Sequence, residues 1–163
     1  MNVRKMTFLS LSVALALLLS FVESQIPPFV AVPGIKIGLS NIVTVYLLYA
    51  LSWREAGAVS LVRVLLSSLL FGTAVSLIYS LAGAVLSFLV MLLLKKLPIF
   101  SSLGVSIAGG VMHNLGQIIA ACLLLENAAI AGYLPVLIVS GVVAGIAVGV
   151  VSAIVVKRVK IKL

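Results

Sequence analysis

Apolar runs long enough to cross a bilayer constrain this chain more than any other feature. A membrane-spanning helix needs roughly 20 predominantly apolar residues, with about 17–25 tolerated. Six candidate helices are predicted, at about 6–22, 37–51, 56–71, 74–94, 102–125 and 133–156, the second and third of them short. Composition agrees. Of 163 residues, 64% are hydrophobic and 9% charged, and the mean hydropathy is +1.41. Soluble domains run nearer half apolar and a quarter charged, and disordered chains invert this pattern. The expected fold is an all-α membrane protein, a six-transmembrane-helix bundle forming one integral membrane domain over 1–163.

The first run also has the makings of a signal peptide, with Arg4 and Lys5 ahead of an apolar stretch at 8–21. The residues that follow, Val22-Glu23-Ser24-Gln25, make a poor cleavage site. Removal would leave five spans and put the C-terminal charges on the wrong side. The run is therefore read as a retained helix.

Charge sets the orientation. The chain has eleven Lys and Arg, three Glu and no Asp, for a net charge of +8. With the N-terminus inside, the cytoplasmic segments hold Arg4, Lys5, Arg54, Lys95, Lys96, Lys157, Arg158, Lys160 and Lys162. The outer segments hold Lys36, and Arg63 lies within the third run. This positive-inside pattern predicts a multi-pass protein of the cell membrane with both termini cytoplasmic. It accounts for most of the net charge without a nucleic-acid partner, which would need a basic face on a soluble surface. Trp53 and Tyr133 fall at predicted span ends, as belt aromatics do. The outer connection at 23–36 carries Pro27, Pro28, Pro33 and Gly34 and reads as a stiff cap.

Small residues mark helix contacts. Gly141, Gly145 and Gly149 share one face of the sixth run, and Ser12, Ala16 and Ser20 share one face of the first. Such stripes serve internal packing or the docking of another membrane subunit.

Polar groups inside spans are the functional candidates. A charge near the bilayer centre costs about 2.5–3.5 kcal/mol on insertion scales. Arg63 lies about 10 Å into its run and either snorkels to the cytoplasmic interface, binds an anion or forms half of a buried ion pair. The fifth run carries Gly109-Gly110-Val111-Met112-His113-Asn114-Leu115-Gly116-Gln117. Spacings of three and four put His113, Asn114 and Gln117 on one side, near mid-bilayer. The bland reading is interhelical hydrogen bonding; three together, flanked by glycines, favour the lining of a site.

The missing residues narrow the chemistry. There is no phosphate-binding G-x-x-x-x-G-K-[ST] loop for ATP hydrolysis. Without Asp, and with Glu23, Glu55 and Glu126 scattered, no carboxylate set is available to hold Mg²⁺ on a diphosphate. A single cysteine, Cys122, excludes an intrachain disulfide and a multi-cysteine metal site. No acid is placed to complete a hydrolase triad. The chain is expected to bind or anchor rather than catalyse, with no catalytic residue, metal or cofactor of its own.

Three stretches taken together resemble the Gx transporter family, also called heptaprenyl diphosphate synthase component I. They are Glu23 with Pro28 and Pro33-Gly34-Ile35-Lys36-Ile37-Gly38-Leu39-Ser40-Asn41, then Arg63 through Gly72, then His113-Asn114-Leu115-Gly116-Gln117. The likeness covers nearly the whole chain and departs at Ile37 and Ser40, where Leu and Ala are expected. The family is similar to the S-components of energy-coupling factor transporters. These are six-helix proteins that bind a vitamin-like substrate from outside and work with a membrane coupling subunit and two cytoplasmic ATPases. The resemblance implies an outer pocket capped by the 23–36 connection, with Ser12, Ala16 and Ser20 facing the coupling subunit.

The leading expectation is thus a substrate-binding component of a transporter. Its site would be built from Glu23, Lys36, Asn41, Arg63, His113, Asn114 and Gln117. Lys36 and Arg63 favour an anionic group, and flavins, isoprenoid precursors and quinone precursors all fit. The alternatives are a non-catalytic membrane subunit of a polyprenyl diphosphate synthase and a membrane anchor in a redox assembly.

Overall fold

The computed structural model describes residues 3–26 and 38–159. Six α-helices and one 3₁₀ segment follow one another in these residues, with no strand among them: α1 (Val3–Ser24), α2 (Asn41–Ala50), α3 (Trp53–Phe71), α4 (Ala74–Lys95), α5 (Ser102–Leu124), η1 (Ala128–Tyr133) and α6 (Leu134–Arg158). The predicted helices fall on these elements. Local chemistry sets several starts. Ser52 accepts from the Arg54 amide, Ser101 from Gly104, and Thr73 and Ser76 form a reciprocal capping box. Pro135 sits in the first turn of α6, where its missing N–H leaves no hydrogen bond unmade.

Side chains are distributed as lipid solvation requires. The buried residues of α1 are Ser12, Ala16, Ser20 and Glu23, while Leu11, Leu15, Leu18 and Val22 face outward. The outer faces of α3, α4 and α6 are likewise apolar, with Leu69, Leu89 and Val143 all more than half exposed. A soluble protein would bury these side chains. Here apolar groups meet the surroundings, and small or polar groups meet one another.

Four segments are long and apolar enough to cross a membrane: α1, α4, α5 and Ala128–Arg158. α3 has 19 residues, about 28 Å at 1.5 Å each, but carries Arg54, Glu55 and Arg63. α2 differs from the expected span. Its ten residues reach about 15 Å, half the hydrocarbon thickness, and seven of them are buried. A helix that is apolar all round packs inside a bundle, and α2 does so, in contact with α1, α3 and α6. Six helices are therefore present, but α2 alone cannot cross.

The ends of the helices alternate between two faces. Lys5 at the start of α1 pairs with Glu55 at the start of α3. Lys95 at the end of α4 donates to the Leu48 carbonyl at the end of α2. The Tyr46 hydroxyl reaches the Val159 carbonyl beyond α6. One face thus gathers Arg4, Lys5, Arg54, Lys95, Lys96, Lys157 and Arg158, and both described chain ends lie on it. Glu23, Gly38, Gly72 and η1 occupy the other.

Glycines bring α4, α5 and α6 into backbone contact. A Cβ on Gly145 would stand 2.6 Å from the Ile107 Cα, and one on Gly141 would stand 2.9 Å from the Gly110 carbonyl. Between α4 and α5, a Cβ on Gly116 would stand 2.7 Å from the Ala82 carbonyl. The glycine stripe of α6 therefore serves internal packing, against α5.

Candidate functional site

Toward the end of the bundle opposite the basic face, five elements turn polar residues inward. α1 contributes Ser20 and Glu23, one turn apart. The segment opening α2 contributes Gly38, Ser40 and Asn41. α3 brings Arg63, α4 brings Ser76 and Ser80, and α5 brings His113 and Gln117. All are buried.

Gly38 joins several of them. Its φ of +91° lies in the left-handed region, which glycine adopts without strain. This conformation aims its N–H at the Glu23 carboxylate, which accepts the hydrogen bond. A methyl placed on Gly38 would stand 3.0 Å from the Asn41 amide nitrogen and 3.6 Å from the His113 ring. The absent side chain is what lets His113 and Asn41 close over this turn.

Arg63 is 4% exposed, so it does not snorkel to water. Its Nη2 donates to the Asn41 Oδ1 at 3.5 Å, a long bond, and the buried Glu23 carboxylate lies in the same polar cluster. Its one hydrogen bond among the described residues is therefore with the side chain of Asn41, at the opening of α2. The Arg63 Nε has no hydrogen-bond partner among the described residues, and neither do the hydroxyls of Ser20, Ser40 and Ser80.

On α5, Gly83 of α4 packs directly onto His113 and Gln117. A Cβ there would stand 3.1 Å from His113 Nδ1 and 2.9 Å from Gln117 Cγ. Asn114 turns away from this pair. Its amide donates to the Leu137 carbonyl at 2.8 Å and to the Ser140 hydroxyl at 3.1 Å, both on α6. Adjacent helix positions differ by about 100°, so His113 and Asn114 face different neighbours.

The structure thus brings Glu23, Asn41, Arg63 and His113 into one cluster with Gln117 beside it, and sends Asn114 to α6. Lys36 lies outside the described residues. Ser12, Ala16 and Ser20 are 6%, 2% and 2% exposed, turned into the bundle. A partner meeting α1 in this state would touch Leu11, Leu15 and Leu18 instead. Sequence reading did not place Ser40, Ser80 or Gly38 among the site residues.

Below the cluster, Gly38, Asn41, Met91, Ser106, Gly110 and Gly145 line a cavity of about 10 Å³. That is room for about one water molecule. Among the described residues, no group of three or more His, Cys, Asp or Glu could hold a metal ion.

An apolar exterior, bilayer-length helices and a buried polar cluster define an integral membrane protein of the α-helical class. Within that class, residues 12–155 match the model of one family, Heptaprenyl diphosphate synthase component I, and the chain belongs to that family. This is the family its sequence resembles. The expectation that the chain is not itself an enzyme agrees with membership of a family named for one component of a synthase. No curated protein and no solved structure matches the chain.

Proposed function

We propose that this chain is the membrane-embedded substrate-binding component of an uptake transporter, similar to the S-components of energy-coupling factor systems. In this reading its helices cross the cell membrane with both termini cytoplasmic, as the basic face predicts. The substrate is a small vitamin- or cofactor-like molecule held by Glu23, Asn41, Arg63, His113 and Gln117, with Lys36 contributing from the outer connection. Energy comes from a transmembrane coupling subunit and cytoplasmic ATPases.

The observation that carries the reading is Arg63. An arginine buried among apolar helices is costly and marks a functional site by default. Among the described residues this one makes a single long hydrogen bond and keeps Nε unengaged. A structural arginine would be expected to saturate its donors.

The test is extraction of the purified protein followed by mass spectrometry. One small molecule should be retained in near-stoichiometric amount and be missing from an Arg63→Gln variant that still folds. Retention of nothing, or equal retention by both proteins, would sink the proposal.

The family name favours a second reading, a non-catalytic membrane subunit that holds a polyprenyl diphosphate synthase at the bilayer. It expects a soluble synthase subunit to co-purify with the chain and its cytoplasmic face to be essential to that contact. A charge-reversal of Lys95, Lys96 and Arg54 would then release the partner without affecting small-molecule retention.

A further inference from the structure

α1 and α6 each pack on α2, and near the basic face a groove of about 210 Å³ lies between them. Phe8 and Leu15 of α1 mark one wall, Val155 and Val159 at the end of α6 the other, and Ile42 and Tyr46 of α2 the floor. Leu15 and Val159 are about half exposed, so the groove opens sideways to the bilayer. Phe8 and Leu15 stand about 10 Å apart along the helix axis, and Val155 and Val159 fall at the basic end. The groove therefore lies within the leaflet next to the basic face, since half the hydrocarbon thickness is about 15 Å. Its floor also carries the Tyr46 hydroxyl, whose bond to the Val159 carbonyl is long, at 3.5 Å.

The mouth of the groove is basic. Arg4 stands four residues before Phe8, on the same side of α1, and Arg158 stands three residues after Val155. Both are exposed. The charge at this end is one-sided. Of the chain's three carboxylate side chains only Glu55 lies here, paired with Lys5. Lys160 and Lys162, beyond the described residues, carry the same sign as the arginines.

A neighbouring transmembrane helix would present an apolar surface over about 30 Å of hydrocarbon and no anion for the mouth. A phospholipid of the adjoining leaflet presents both a chain for a groove of this depth and a phosphate for the arginines, whose planar forks match its oxygens. We propose that the groove binds one anionic phospholipid of the leaflet at the basic face. Its acyl chain lies between α1 and α6, its headgroup beside Arg4 and Arg158, and an ester oxygen within reach of the Tyr46 hydroxyl. This site is separate from the buried polar cluster and holds under either functional reading.

The test uses the full-length protein in nanodiscs of phosphatidylcholine with added phosphatidylglycerol, the retained lipid being counted by native mass spectrometry after release. Wild type should keep one phosphatidylglycerol in preference to phosphatidylcholine. Arg158→Gln should weaken that retention about fivefold, and Arg4→Gln with Arg158→Gln about 25-fold. Lys96→Gln removes the same charge beyond α4, which packs on α3 and α5, and should leave retention unchanged. Leu15→Trp crowds the groove without altering charge and should lower retention as well. Equal retention of both lipids by wild type, or of neither, overturns the proposal. So does a loss with Lys96→Gln as large as with Arg158→Gln, which would mark general attraction to a basic face. If the double arginine variant does not fold, Leu15→Trp decides, and unchanged retention there overturns the site.

Discussion

The α4–α5–α6 side of the bundle and the α1–α2–α3 side are held together by different means. On the first, glycines at 83, 110, 116, 141 and 145 let one helix backbone lie on the next. Ser106 and Asn114 add hydrogen bonds from α5 to carbonyls of α6. On the second, contacts run through side chains. Lys5 meets Glu55 at the basic end, and Phe21 and Phe71 pack with ring centroids 5.1 Å apart at the other. Where α3 meets α4 across the boundary, a Cβ on Gly57 would stand 3.1 Å from the Phe88 ring, again a side chain. Backbone contacts have no rotamers to adjust, whereas side-chain contacts can yield. The polar cluster straddles this boundary, with Glu23, Asn41 and Arg63 on the yielding side and His113 and Gln117 on the rigid one.

The sharpest way to break this comparison is to add volume on each side. Gly145→Val drives a branched side chain into the Ile107 backbone and should cost about 3 kcal/mol or more, near the top of the overpacking range. We expect loss of monodisperse protein on size exclusion. Gly57→Ala asks only that the Phe88 ring shift and should cost less than about 1 kcal/mol. Similar losses for the two would mean that glycine packing does not distinguish the halves.

Next in size is the coupling between the two buried charges, Glu23 and Arg63. Arg63→Ala removes the buried positive charge that shares the cluster with the Glu23 carboxylate and, if the two act on each other, should destabilise the protein by about 3 kcal/mol. Adding Glu23→Gln should recover a large part of that loss, although ligand retention stays lost. Chemical unfolding in a mild detergent gives both values, and their non-additivity measures the coupling. Additive effects would show that the two charges do not act on each other.

Asn114→Ala is expected to be milder. Interhelical hydrogen bonds average about 0.6 kcal/mol in membrane proteins, and this side chain points to α6 rather than to the cluster. Stability should fall by about that amount with ligand retention unchanged. A loss of retention would return Asn114 to the site that its spacing first suggested.

Asn114 shows where sequence reading stops. Apolar run length located six helices, because lipid imposes hydrophobicity over a fixed distance. Loop charge located the basic face because Lys and Arg concentrate in the connections on one side. Helical spacing could place His113, Asn114 and Gln117 within one broad sector, but not which neighbour each would meet. That depended on Gly83 and Gly38, whose missing side chains admit His113 and Gln117 on one flank, and on the α6 carbonyl that draws Asn114 to the other. The serine–alanine stripe of α1 was legible as a contact face, yet spacing does not say whether a stripe meets its own bundle or a partner. α2 was overestimated because the apolar run around it continues beyond the ten residues that form the helix.

The smallest effect concerns the basic end of the yielding side. Hydrogen bonds from Lys5 and then Ser52 hold the Glu55 carboxyl at about 2, down from its ordinary 4.5. A folded value below the unfolded one means the pairing contributes fully above about pH 4.5 and fades as pH falls toward 2. The pair lies near solvent, with the Lys5 side chain 33% exposed, so screening holds its worth to about 0.5 kcal/mol. Glu55→Gln should therefore lower stability by that much at pH 7 and by nothing measurable near pH 2, with 1 M salt shrinking the pH 7 difference. If the α1–α3 contact depends on this pair more than on the serine–alanine face, the pH 7 loss will exceed 1 kcal/mol. The yielding side would then be latched at its basic end rather than packed along its length.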